Sequence, residues 1–240
     1  MNYITTILFD LDGTLLPMDQ DTFAKAYIGG LGKAAVPHGY DPKAMMSAIM
    51  AGTVAMVKNN GDKTNEGVFW DVLVDAFGES IMKDCHMYDE FYQTDFQKVK
   101  DVCGYEPRAR DIMDFVKQKG FRVVLATNPL FPSVATESRI RWAGLDVDDF
   151  AYFTSYENSH YCKPNLEYYH EILSKLNVAP DECLMVGNDV GEDMIASQLG
   201  MKVFLLTNCM INKKNEDINI YPHGSFDELL EYIKNIGEEK

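Results

Sequence analysis

Apolar residues recur along this chain in two rhythms. The first is a set of short apolar runs. The opening run, Ile7-Leu8-Phe9, ends in Asp10-Leu11-Asp12-Gly13 and reads as a buried strand with two carboxylates at its C-terminal tip. Residues i and i+2 of an extended chain lie on the same side, so both acids can address one point. Gly13 lets the backbone turn there. From residue 17 to about 104 the runs vanish and helical periodicity replaces them. Asp21 to Lys33 reads as one helix and Asp41 to Lys58 as one or two more. After the turn Asn59-Asn60-Gly61-Asp62, Thr64 caps a stripe of Val68, Phe69, Val72, Leu73 and Phe77 that Gly78 ends. Asp89 to Lys100 reads as the last helix of this block.

From Pro107 onward the two rhythms alternate. A helix over Pro107 to Lys119 precedes a strand over Phe121 to Ala126. A helix over Pro132 to Trp142 precedes a short strand near Tyr152-Phe153. Asn165 to Leu176 is helical, Cys183 to Val186 a strand, Glu192 to Leu199 helical and Lys202 to Leu206 a strand. Ser225 to Ile236 closes the series as a helix. Short apolar strands between amphipathic helices predict an α/β, doubly wound parallel sheet with helices on both faces. The all-helical block is then an insertion. The expected boundaries are a core of residues 1–16 and 105–240 and a helical unit of residues 17–104.

Composition narrows the functional classes. The chain has 240 residues, of which 46% are hydrophobic, enough for a full core. The net charge of −15 argues against nucleic acid or an anionic membrane as a partner. It also means that an anionic substrate needs a local array of cations, metal or helix N-termini. Cys85, Cys103, Cys162, Cys183 and Cys209 are odd in number and never in a C-x-x-C pair, as expected of reduced thiols in a cytoplasmic protein. No secretory leader pattern opens the sequence and no apolar run reaches membrane-spanning length.

In such sheets ligands bind outside the carboxyl ends of the strands. Four polar sites fall there: Asp10/Asp12, Thr127-Asn128, Lys163 before Pro164, and Gly187-Asn188-Asp189 with Glu192-Asp193. Each suits one part of phosphoryl chemistry. A carboxylate can attack phosphorus, and a hydroxyl with nearby amides can hold phosphate oxygens. A lysine can neutralise both a carboxylate nucleophile and the phosphoryl group. Further carboxylates can complete an all-oxygen magnesium site. Pro164 disfavours helical backbone at Lys163, which presents the lysine from extended chain.

With these motifs in this order, the chain resembles the haloacid dehalogenase superfamily of hydrolases. Phe9-Asp10-Leu11-Asp12-Gly13-Thr14, Thr127, Lys163-Pro164 and Gly187-Asn188-Asp189 with Asp193 carry the resemblance. It implies a Rossmann-like core with an inserted all-helical, C1-type cap. It implies Asp10 as nucleophile, Asp12 as general acid/base, Thr127 as phosphate ligand and Lys163 as charge stabiliser. Magnesium would be held by the Asp10 side chain, the Asp12 carbonyl and Asp189. Asp193 would orient Lys163 or a metal-bound water. Many relatives carry an acid where this chain has Asn188, so the metal site would rest more heavily on Asp189. Asn128 either contacts phosphate or shapes the turn into Pro129.

The expected activity is a Mg2+-dependent phosphatase of a small phosphorylated metabolite, through an aspartyl-phosphate. The alternative is a phosphomutase of the β-phosphoglucomutase type, which these motifs do not separate. Carbon–halogen and carbon–phosphorus cleavage fit poorly with Asp12 present. A non-catalytic binding module on the same scaffold should have lost Asp10, Lys163 or Asp189. Leu16-Pro17-Met18 and Cys103-Gly104-Tyr105 are the expected hinges of the lid. Lys25, Lys58 and Lys63 are the insertion's candidates for reaching substrate, and His160 is a weaker candidate near Lys163. Met45, Met46, Met50 and Met56 read as core of the helical block. The substrate's identity and the oligomeric state are not legible.

Overall fold

A computed structural model describes residues 3–238. Six parallel strands form one sheet in the order β3-β2-β1-β4-β5-β6. They are β1 (Thr6–Phe9), β2 (Arg122–Leu125), β3 (Tyr152–Phe153), β4 (Cys183–Gly187), β5 (Lys202–Leu206) and β6 (His223–Gly224). The central strand β1 pairs with β2 on one side and β4 on the other, Phe9 lying opposite both Leu125 and Val186. This register brings the tips of all three strands level.

The apolar runs lack a polar face because both sides of the sheet are covered. On one side Ile7, Phe9, Val123, Leu125, Leu184 and Val186 join a core with residues of α5 (Pro107–Gln118) and α8 (Phe226–Glu238). On the other, Leu8, Val124, Met185, Val203 and Leu205 pack with Tyr168, Tyr169, Ile172 and Leu173 of α7 (Leu166–Leu176). Alternate residues of one strand thus serve two cores, as a period of two requires.

Between β1 and α5 every element is helical. They are α1 (Gln20–Ala34), α2 (Pro42–Val57), α3 (Asn65–Phe77) and α4 (His86–Gln93), with short 3-10 segments between and after them. Local chemistry starts three of these helices. The side chains of Asp19, Asp41 and Thr64 accept the backbone N–H groups of Thr22, Ala44 and Gly67. The two crossings into this cap run side by side, Met18 bridging Cys103 and the Gly104 N–H donating to the Pro17 carbonyl at 2.7 Å. The cap is also tied to the core at the start of α3. There the Asn65 and Glu66 N–H groups donate to the Ser159 and Tyr156 carbonyls, both at 2.8 Å. The buried Asn65 amide donates to the Pro129 carbonyl. One apolar cluster runs from the sheet into the cap, including Phe9, Leu125, Phe23, Tyr27 and Phe96.

The structure departs from the periodicity in four places. The helix expected over Asp89 to Lys100 breaks at Thr94, whose hydroxyl takes the Glu90 carbonyl at 2.7 Å and competes with helix continuation. Residues Asp95–Val102 continue as 3-10 turns. The helix expected over Glu192 to Leu199 shrinks to a 3-10 segment, Met194–Leu199. Strand β6 is too short to show an alternating pattern. Met45 and Met56 are core as expected, but Met50 is exposed. No described helix is long and apolar enough to cross a membrane.

Candidate active site

The tips of β1, β2 and β4 and the turn before α7 converge on Asp10. Its backbone N–H donates to the Val186 carbonyl, and the Phe9 carbonyl accepts from Ala126 N–H. Those two bonds fix Asp10 between its neighbouring strands. The side chain is buried, and each oxygen has a partner. Oδ1 accepts from Lys163 Nζ at 2.9 Å and Oδ2 from the Thr14 hydroxyl at 3.0 Å.

Lys163 is 1% exposed and also donates to Asp193 Oδ1 at 2.6 Å. Burial pulls the ammonium down, but Asp10 and Asp193 outweigh it and hold Lys163 above its ordinary value. Asp193 is displaced in the opposite sense to most paired acids: burial pushes it up, against the pull of Lys163. Its second oxygen accepts the Asp189 N–H at 2.9 Å, so Asp193 fixes both the lysine and the loop that carries Asp189. A side chain at Gly187 would meet Asp193 Oδ2 at 2.1 Å, so only glycine lets this acid approach.

Asp12 lies within the same cavity, paired with Arg139 of α6 (Ser133–Trp142) through Oδ2. Its Oδ1 is buried without a partner among the described residues. Burial and, more weakly, Asp10 raise the Asp12 carboxyl, while Arg139 and Lys163 oppose them. Arg139 is fully buried. Its guanidinium stacks 4.2 Å from the Phe131 ring centre and donates to the Ala135 carbonyl and the Thr136 hydroxyl. Sequence patterning missed this residue. Its one signal is phase: Arg139 lies four residues after Ala135 and three before Trp142, on the buried stripe of α6.

The other expected residues divide clearly. Thr127 and Asp189 are buried and line the cavity with Asp10, Asp12 and Asp193. Asp189 Oδ1 accepts the N–H groups of Gly191 and Glu192. Asn128 also lines the cavity, but its amide donates to Glu192 Oε2 at 3.0 Å and its carbonyl accepts from Leu130 N–H. These bonds shape the turn into Pro129, while the Asn128 Oδ1 is buried without a partner among the described residues. Asn188 is a tie between loops: Oδ1 accepts from Thr14 and Nδ2 donates to the Cys209 carbonyl at 2.6 Å. A side chain at Gly13, whose φ is +88°, would strike that amide at 2.4 Å. Glu192 is a further cavity acid, raised first by burial. His160 faces away into a pair with Glu171. Cys162 is buried, its thiol pushed up to about 12 by burial, which suits a bystander. Lys25, Lys58 and Lys63 are exposed and do not line the cavity.

The donor set fits a hard divalent cation. Asp10, Asp12, Asp189, Glu192 and Asp193 line one cavity, against the ammonium of Lys163 and the guanidinium of Arg139 beside it. All candidate donors are oxygen, the donor type that magnesium takes, and the unpartnered Asp12 Oδ1 is left to carry a proton.

This fold recurs among solved structures. A HAD phosphatase from Thermococcus onnurineus aligns at 15% identity over 96% of this chain and 98% of its own, with TM-score 0.60. The HAD-hydrolase YfnB from Bacillus subtilis, solved bound to magnesium, aligns at 18% identity over 97% and 99%, with TM-score 0.55. A β-phosphoglucomutase from Clostridium difficile aligns at 19% identity over 98% of each chain, with TM-score 0.55. At such identities the likeness establishes the fold. No curated protein matches the sequence. The family described as haloacid dehalogenase-like hydrolases matches over residues 4–200, taking in Asp10, Asp12, Thr127, Lys163, Asp189 and Asp193. The chain belongs to that family of hydrolases.

Proposed function

We propose that this hydrolase is a Mg2+-dependent phosphatase that cleaves a small phosphorylated metabolite through an aspartyl-phosphate on Asp10. The observation that carries the reading is the buried Asp10–Lys163–Asp193 array with a second acid, Asp12, two residues further on in the same cavity. Asp10 attacks phosphorus and the bond to the leaving oxygen breaks. Asp12 gives that oxygen its proton through the free Oδ1. Asp12 then takes a proton from the water that attacks the phosphoryl-aspartate, releasing phosphate and restoring Asp10. Lys163 stabilises the charge on the carboxylate and on the phosphoryl oxygens. Thr127, just past β2 and lining the cavity, would hold one of those oxygens. The Asp10 carboxylate, the Asp12 carbonyl and the Asp189 carboxylate would hold the ion. Magnesium supplies charge neutralisation for the transferring group when bound.

Support for hydrolysis over mere binding comes from what the site retains, since Asp10, Lys163 and Asp189 are all in place. The test is hydrolysis of a generic aryl phosphate by enzyme stripped with chelator and then given magnesium. The expected result is loss of at least a hundredfold on stripping and recovery with magnesium or manganese. Undiminished hydrolysis without metal would overturn the metal dependence.

A further inference from the structure

Among the described residues, the cavity wall that faces Asp10 offers no cation. The cavity holds about 230 Å³, below the ordinary range of ligand pockets, roughly 300–1,000 Å³. Its floor is the carboxylate cluster. Facing that floor are Phe23, Ala24, Tyr27 and Ile28 of α1, with Leu130 and Phe131 from the core. Gln20 and Thr53 are the polar groups the cap helices contribute. The cap segment has eight lysines, Lys25, Lys33, Lys43, Lys58, Lys63, Lys83, Lys98 and Lys100, and no arginine. None of the eight is among the residues lining the cavity. The two nearby cations are already engaged, Lys163 by Asp10 and Asp193 and Arg139 by Asp12.

A leaving group placed here meets rings, aliphatic carbon, acids and the neutral polar groups of Gln20, Thr53 and Asn128. An uncharged apolar group gains by burial. A carboxylate or second phosphate loses its water and finds no positive partner in that wall among the described residues. Resting on the phosphatase reading, we infer that the substrate is a compact monophosphate ester whose leaving alcohol is uncharged and largely apolar. Phe23, Ala24, Ile28 and Phe131 select it, and esters with a second anionic group are excluded. The same wall disfavours mutase chemistry. A mutase that moves a phosphoryl group within one molecule passes through a bisphosphate, whose second phosphate needs a cationic seat opposite Asp10.

The test is a matched pair, butyl phosphate and 4-phosphooxybutanoate, assayed with magnesium-loaded enzyme beside p-nitrophenyl phosphate. The two alkyl esters share chain length and leaving-group character and differ in the terminal carboxylate. The butyl ester should show at least tenfold higher kcat/KM, and Ile28→Lys should shrink the gap at least threefold by supplying the missing cation. The corresponding phosphonates, followed by calorimetry, should show the same order in Kd, which separates binding from turnover. Equal or better handling of the carboxylate ester, or conversion of a hexose phosphate with its bisphosphate as primer, would overturn the inference while leaving Asp10 chemistry intact. Failure to hydrolyse any of the three esters would overturn the phosphatase reading and the inference with it.

Discussion

Lys163 and Arg139 are both buried cations, and only one of them could be read in advance. Lys163 sits in a short motif beside a proline, at a place in the chain where a strand-end loop was expected. Its partners Asp10 and Asp193 lay in motifs of their own. Arg139 lies in the middle of a helix, where an arginine is ordinarily solvated. Nothing local announces that Asp12, 127 positions away, is its partner. In the folded protein Arg139 holds one oxygen of Asp12 and leaves the other free. Arg139→Gln should therefore loosen the acid and impair leaving-group protonation. Aryl phosphates leave readily without a proton, whereas alkyl phosphates need one. The variant should lose about 10- to 100-fold in kcat on an alkyl phosphate and severalfold at most on p-nitrophenyl phosphate. Arg139→Lys should restore part of the loss. An equal loss on both esters, tracking lost folded protein, would reduce Arg139 to a structural role.

Most elements were legible because their boundaries are chemical. Asp19, Asp41, Thr64 and Asn165 are the N-caps of α1, α2, α3 and α7, and Pro107 begins α5. Thr94 was not legible as a break, because a threonine inside an amphipathic stretch reads as a helix residue until its hydroxyl finds a carbonyl. Ion pairs between elements were likewise invisible. Asp149, in the turn before β3, accepts from Arg110 of α5 at 2.5 Å and from Lys117 at 2.5 Å. Burial alone would raise its carboxyl. The two cations and the Asp146 N–H outweigh burial and hold it at about 2, below the ordinary 3.8. A depressed carboxyl contributes stability above its unfolded pKa, and that stability disappears as pH falls through the folded value. Asp149→Asn should cost about 1–2 kcal/mol at neutral pH, less than the full shift implies because Lys117 is partly solvated. Urea melts should show the difference between variant and parent narrowing as pH falls from about 4 to about 2. A constant difference across that window would assign the loss to packing.

At the scale of the molecule, one continuous apolar cluster runs from the sheet into the cap, and residues of α1 line the cavity that holds Asp10. The sheet, the inserted helices and the family were readable because four motifs fell in order, three just past strand ends and Lys163 in the turn before α7. The character of the cap wall was not, since which face of α1 turns toward Asp10 depends on packing about 100 residues away against Phe131, whose ring lies 5.0 Å from that of Tyr27. The central claim is that Asp10 carries the phosphoryl group. The direct measurement is acid-quenched mass spectrometry of the magnesium-loaded enzyme during turnover of an aryl phosphate, in parent, Asp12→Asn and Asp10→Asn proteins. The account predicts a phosphoryl group on the Asp10 peptide of the parent, accumulation on that peptide when Asp12 cannot activate water, and none with Asp10→Asn. Turnover at the parental rate by Asp10→Asn, or a phosphoryl group on another residue, would contradict it.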